Sequence, residues 1–330
     1  MDIVVQKFGG TSVKNKEKLE QVISKIVNTV ELGNSVVVVV SAQGKTTDEL
    51  IQKASEYTDM TYAKEMDLLL STGEIQTVAL LTMMLKNKGY DAIGLTGTQA
   101  GVITDSNFSN AKIKMVMSEN ILKYLESGKI VVVAGFQGVD KFGNITTLGR
   151  GGSDLSAVAI AASLNAKQCE IYTDVDGVFS VDPNVINQAK LIKEISYDEM
   201  LEAATAGAKV LHNRAVSLAK KYKLKLRVKN TRTEEEGTLV DFKNYVNEKS
   251  IPQILAVEEG LAKITIIGEN LMSDTSCISK IYSLANSNNI AVYMISISET
   301  CIGIVVKENL AKEFLKLLHE NIILKNSGEV

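Results

Sequence analysis

Short, uninterrupted apolar runs recur along the first half of the chain, at residues 3–5, 36–40, 93–95 and 130–134, with a similar stretch at 170–173. Runs of this length without polar alternation predict strands buried on both faces, as in a parallel sheet. Between the first two, Leu19, Val22, Ile23, Ile26, Val27 and Val30 recur at the spacing of an amphipathic helix. Residues 111–127 and 153–165 predict further helices. Strand and helix therefore alternate, and the expected class is α/β, with an open, mostly parallel sheet flanked by helices. Lys141, Phe142, Gly143 and Asn144 predict a hairpin turn, because Gly and Asn tolerate positive φ.

The pattern changes after about residue 232. Glu234, Glu235, Glu236 and Gly237 form a polar break, with Pro252 beyond it. Residues 263–266 then alternate as a half-buried strand, 276–287 read as a helix, 296–298 and 302–306 as two adjacent strands, and Leu310, Phe314, Leu317 and Leu318 as a closing amphipathic helix. That β-α-β-β-α order is ferredoxin-like. The expected organisation is a first domain over 1–235, a linker over 236–252 and a small second domain over 253–330.

Composition narrows the function. The 330 residues carry 36 Lys+Arg against 39 Asp+Glu, a formal charge of −3, so a broad basic face for nucleic acid or an anionic membrane is not expected. The longest apolar run, 36–40, is far short of the ~20 residues of a membrane helix. No basic stretch followed by an apolar one opens the chain, and a cytoplasmic setting is expected. Cys169, Cys277 and Cys301 are too scattered for a disulfide framework or zinc site. The only histidines, His212 and His319, argue against a Ser/His/Asp hydrolase and a His-based metal centre.

The chemistry-bearing candidates sit where strands are expected to give way to helices. Gly9 and Gly10 follow Lys7 at the end of the first strand. Paired glycines would let backbone approach a phosphate, the helix start would offer N–H groups and Lys7 a point charge. An ordinary strand-to-helix turn is the other account of that pair. Ser153 or Asp154 would cap the helix over 153–165 in any case. Capping leaves Gly149, Gly151 and Gly152 around Arg150 unexplained; glycine clears space for a ligand, and arginine can grip a carboxylate with two parallel hydrogen bonds.

Other candidates stay open on the residues alone. Gly44, Lys45 and Thr46 imitate the end of a P-loop, but Val39 stands where that pattern needs glycine. Ser41 and Thr47 offer hydroxyls to a substrate or make local turns. Glu74 is a surface charge on a helix or a partner for an ammonium group. Thr173, Asp174, Asp176 and Gly177 leave a strand at the edge where open α/β sheets bind ligands, or form a turn. Lys209 is a second phosphate contact or a surface charge.

Taken together, KFGGTS at 7–12, SAQGKTTD at 41–48, STGE at 71–74, TLGRGGSD at 147–154, YTDVDGVFSVDP at 172–183 and GAKVLH at 207–212 resemble the aspartokinases of the amino acid kinase family. The C-terminal domain resembles that family's ACT-type regulatory module. The resemblance implies transfer of a phosphoryl group from ATP, with Mg2+, to the side-chain carboxylate of L-aspartate, the entry to lysine, threonine and methionine synthesis. It implies catalytic roles for Lys7, Asp154 and Lys209. Nucleotide contacts fall on Lys7, Gly9, Gly10, Ser153, Thr173, Asp174, Phe179, Ser180, Asp182 and Lys209. Aspartate contacts fall on Ser41, Thr47, Glu74 and Arg150, with Gly151 and Gly152. No protein residue is assigned to the metal.

Two departures stand out. Asn184 replaces the arginine common after Asp182 and Pro183, and one ACT-type module is readable where the family usually carries two. Lysine or threonine is the effector implied, and a homodimer or larger homo-oligomer the assembly. The alternatives are another amino acid or carbamate kinase of the same fold, or a non-catalytic amino-acid sensor. Histidine is not needed for the implied reaction, since a carboxylate of pKa ~3.9 is already ionised at neutral pH. Repulsion is the obstacle: two like charges at 4 Å cost about 1 kcal/mol in water and about 4 at an effective dielectric of 20. Lys7, Lys209, Mg2+ and the helix starts after Gly10 and Gly152 are expected to offset it.

Overall fold

Five consecutive valines make the second strand, and the reason for so many lies in two opposite faces. In β2 (Ser35–Val40), Val36, Val38 and Val40 join one apolar cluster with Leu19, Ile23 and Leu81, while Val37 and Val39 join another with Val131, Ala157 and Ile160. Each such side chain contributes about 1.5–3 kcal/mol by leaving water. The computed structural model describes residues 1–60, 62–205, 210–242, 254, 259–268, 271 and 275–324. The chain divides into two units, Met1–Ala256 and Val257–Val330.

In the first unit an eight-stranded sheet runs in the order β10-β12-β11-β9-β1-β2-β6-β3. The parallel strands are β1 (Ile3–Phe8), β2, β3 (Ala92–Leu95), β6 (Ile130–Ala134), β9 (Gln168–Thr173) and β11 (Leu226–Asn230). Antiparallel β12 (Thr238–Asp241) and then β10 (Glu194–Ser196) extend it past β11. Helices α1 (Lys16–Glu31) and α3 (Ala63–Asn87) supply the cluster on one face, and α5 (Gly152–Ser163) and α7 (Asn213–Tyr222) that on the other. Helices α2 (Thr46–Ser55), α4 (Glu119–Glu126) and α6 (Tyr197–Thr205) complete the unit's helices among the described residues. Both faces of the sheet are covered, as the apolar runs required.

A second sheet was not foreseen. It has the order β5-β4-β7-β8, from β4 (Val102–Thr104), β5 (Ile113–Val116), β7 (Gln137–Val139) and β8 (Ile145–Thr147). The helix expected over 111–127 is therefore corrected: β5 pairs with β4, and helix begins only at Glu119. Ala111 N–H donates to Thr147 O and Met117 N–H to Gly101 O, which commits that backbone to the sheet. The hairpin at 141–144 is as expected, with Asp140 Oδ1 accepting the N–H groups of Phe142 and Asn144 at 2.9 Å each.

Glu234 to Gly237 is a turn within the first unit, because β12 folds back on β11. The expected linker over 236–252 thus starts too early; its residues 243–252 lie outside those described. Helix α3 is long and apolar enough by length and composition to cross a membrane, yet it buries Asp67, Ser71, Glu74 and Thr77 among its apolar residues, as a core helix does. In the second unit β13 (Leu261–Ile267), α8 (Thr275–Ser287), β14 (Met294–Ile297), β15 (Cys301–Lys307) and α9 (Glu308–Leu318) follow the expected order. Its antiparallel sheet, β13-β15-β14, packs Ile264, Ile302 and Ile304 against Ile281 and Phe314.

Candidate active site

β1 is flanked by β2 on one side and β9 on the other, so the chain leaves β1 in one direction and returns in the opposite one. The crevice over the carboxyl ends at such a reversal is where open α/β sheets bind ligands. Lys7, next to last in β1, reaches Asp154 in the first turn of α5, with Nζ 2.7 Å from Oδ1. Their side chains are 12% and 13% exposed, so the pair is mostly enclosed and still reached by solvent. The contact is ionic; Asp154 Oδ1 has no directed hydrogen bond among the described residues.

The two glycines after β1 have different reasons. A Cβ on Gly9 would stand 3.3 Å from Lys7 Nζ, so Gly9 keeps space at the ammonium. A Cβ on Gly10 would stand 2.9 Å from Ala42 O, and Gly44 N–H donates to Gly10 O at 3.0 Å. Gly10 thus admits the backbone of the loop after β2. Helix α1 does not start after Gly10 as expected: Asn15 is its cap, accepting the Lys18 N–H at 3.0 Å, and residues 10–15 are turns and bends.

Neither Ser153 nor Asp154 caps α5. The cap is Gly151 in the left-handed region, φ +71°, where a Cβ would lie 2.3 Å from the His212 ring. Both side chains are freed for other contacts: Ser41 Oγ donates to Ser153 Oγ at 2.9 Å, and Asp154 takes Lys7. Gly152 lies against Phe136 and Leu148, where a Cβ would come within 2.9 Å. Arg150 is exposed and makes no hydrogen bond or ion pair with the described residues.

Glu74 is no surface charge. It is 2% exposed on α3; Oε1 accepts the Ala42 N–H at 3.0 Å, and Oε2 is buried without a hydrogen-bond partner among the described residues. Burial raises its pKa to about 7, against the opposing pull of the Ala42 N–H. Through Ala42 it adjoins Ser41, which joins Lys7, Gly9, Ser41, Glu74, Ser153 and Asp154 into one chain of contacts. Thr47, half-buried in the first turn of α2, makes no such contact among the described residues.

At the end of β9, Thr173 Oγ1 donates to Asp174 Oδ1 at 3.1 Å. Phe179 bridges to Leu191, and Ser180 exchanges hydrogen bonds with Lys190. Asp182 Oδ1 accepts the backbone and side-chain N–H groups of Asn184 at 2.8 and 3.0 Å, so the residue that departs from the family pattern is engaged inside its own turn. Among the described residues, no hydrogen bond or ion pair ties this loop to the Lys7 side chain. Lys209 lies outside the described residues. Sequence reasoning missed Asp67 and Arg214, which hold the backbone before Arg150; a lone Asp in an apolar helix was the available signal for the first. A cavity of about 150 Å³ lies beside Lys25, Glu170 and Lys229, and a groove of about 670 Å³ runs over Leu155 and Leu218, with Arg214 in its lining.

Residues 2–230 match the model of the amino acid kinase family. The chain is 45% identical over 331 residues to the aspartokinase of Bacillus sp. (strain MGA3), covering 99% of this chain and 80% of that one. With aspartokinase 2 of Bacillus subtilis (strain 168) the identity is 44%, covering 97% and 79%. Among solved structures, Escherichia coli aspartokinase III in complex with aspartate and ADP superposes with a TM-score of 0.77 at 26% identity, covering 93% of this chain and 79% of that one. Extended identity, the shared fold and the enclosed lysine–aspartate pair at the crevice agree: the chain belongs to the amino acid kinase family and, within it, to the aspartokinases.

Proposed function

We propose that the protein is an aspartate kinase, making 4-phospho-L-aspartate and ADP from L-aspartate and ATP as the first step toward lysine, threonine and methionine. Beyond family membership, one observation carries the reading: the 2.7 Å pair of Lys7 and Asp154 opens on the same crevice as Ser41 and Ser153. A side-chain carboxylate oxygen attacks the γ-phosphorus in line. The bond from phosphorus to the bridging oxygen breaks, and its electron pair leaves with ADP. The nucleophile is already ionised, so no general base is required.

The residues then divide the work. Lys7, held by Asp154, and Lys209 counter charge on the phosphates, with Gly9, Gly10 and Ser153 beside them. Thr173, Asp174, Phe179, Ser180 and Asp182 serve the nucleotide. Arg150 grips the α-carboxylate, Glu74 receives the ammonium, and Ser41 and Thr47 offer hydroxyls. Mg2+ supplies positive charge to the phosphates when bound. The second unit is read as a regulatory module for lysine or threonine and as the contact for a homo-oligomer, and the enzyme as cytoplasmic.

ADP release from ATP, measured with aspartate, glutamate and carbamate, each with and without lysine and threonine, tests this. Aspartate-dependent turnover is expected. Turnover on another acceptor alone would favour a related kinase, and lysine or threonine binding without turnover a sensor.

A further inference from the structure

The four backbone polar groups just before Gly149 are all taken. Thr147 N–H donates to Asp67 Oδ2 at 2.7 Å, and Thr147 O accepts from Ala111 N–H at 2.8 Å. Leu148 N–H donates to Phe136 O at 2.9 Å, and Leu148 O accepts from Arg214 Nη1 at 2.6 Å. Asp67, fully buried on α3, also accepts from Thr147 Oγ1 at 2.8 Å and from Ser109 N–H at 2.9 and 3.0 Å. Arg214, on α7, reaches Ala111 O at 3.1 Å and Asn110 Oδ1 at 3.3 Å as well. Immediately beyond this anchor Gly149 turns the chain at φ +73° and Arg150 emerges with no partner among the described residues.

We propose that Asp67 and Arg214 are positioning residues for the amino-acid subsite, clamping from two helices the backbone that aims Arg150 at the substrate carboxylate. The proposal rests on the aspartate-kinase reading. Neither residue touches reacting atoms in it. Asp67 lies seven residues before Glu74 on the same helix, two turns or about 10 Å along the axis, so α3 fixes both the ammonium acceptor and one jaw of the clamp. Spacing between the two ends of the bound amino acid is thereby set by one rigid element. A guanidinium fork spanning two carbonyls is needed on the other side, and a single ammonium cannot reproduce it.

The test uses the full chain and compares Arg214→Met, Arg214→Lys and Asp67→Asn with the unaltered protein in steady-state kinetics. The KM for aspartate is expected to rise about tenfold in Arg214→Met and Asp67→Asn while the KM for ATP stays within about twofold. Arg214→Lys, keeping one donor for Leu148 O, should recover part of that loss, and it carries the test if Arg214→Met does not fold. In an Arg150→Ala background, adding Arg214→Met or Arg214→Lys should raise the aspartate KM no further. Equal rises in both KM values, or effects that multiply in the double variant, would overturn the clamp. Absence of aspartate-dependent turnover in the unaltered protein would instead overturn the kinase reading, and the clamp's purpose with it.

Discussion

Lys7 Nζ and Asp154 Oδ1 stand 2.7 Å apart, one from the end of the central strand and one from the first turn of the helix packed on it. Lys7→Ala should lower kcat by about 10²–10³ with the fold retained, since it removes positive charge aimed at the transferring group. Asp154→Asn should cost about 1–3 kcal/mol of stability, less than for a fully buried pair because both partners keep some solvent contact. Exposed Lys45 lies in the P-loop imitation, and Lys45→Ala should leave kcat within about twofold. Turnover and denaturant titration of the three variants check this; loss in Lys45→Ala equal to that in Lys7→Ala would restore the P-loop reading.

Arg150 is expected to act on one substrate only. Arg150→Ala should raise the aspartate KM by about 10- to 100-fold through loss of a bidentate carboxylate contact, with the ATP KM unchanged. Unaltered aspartate dependence would remove Arg150 from that subsite.

Glu74 gives a pH dependence of defined sign. Its folded-state pKa, raised by burial to about 7, exceeds the unfolded value near 4.5. Below pH 4.5 both states hold the proton; between 4.5 and 7 only the folded state does. Stability associated with this proton is therefore lost as pH rises through that window, by up to about 3 kcal/mol. Glu74→Gln should abolish that slope in unfolding measured from pH 4 to 8. An ammonium partner needs the ionised carboxylate, so the aspartate KM should rise as pH falls below about 7 and become flat in Glu74→Gln.

Gly151 and Gly143 both have positive φ, +71° and +82°, but differ in their surroundings. A Cβ at Gly151 meets the His212 ring at 2.3 Å, whereas one at Gly143 meets nothing within 4 Å. Gly143→Ala should cost about 1 kcal/mol and leave activity intact. Gly151→Ala should cost about 2–4 kcal/mol and raise the aspartate KM, because it displaces the residue next to Arg150. Thermal unfolding and kinetics of the pair separate backbone strain from collision.

By itself the sequence determined the layered α/β class, the buried parallel strands near residues 3–5, 36–40, 93–95, 130–134 and 170–173, and the β-α-β-β-α unit, because those elements are written in local hydrophobic period. It also carried the family, since Lys7, Glu74, Arg150 and Asp154 stand in recognisable short motifs. Tertiary structure alone decided which of them meet. Ser41 finds Ser153, and Lys7 finds Asp154, only because parallel strands bring distant loops to one sheet edge. Likewise β5 was hidden inside an apparent helix, since its pairing with β4 depends on a partner elsewhere in the chain. Glu74 was ambiguous for the same reason: a charge on a helix reveals its face only when the neighbours that bury it are in place, and that burial is what moves its proton.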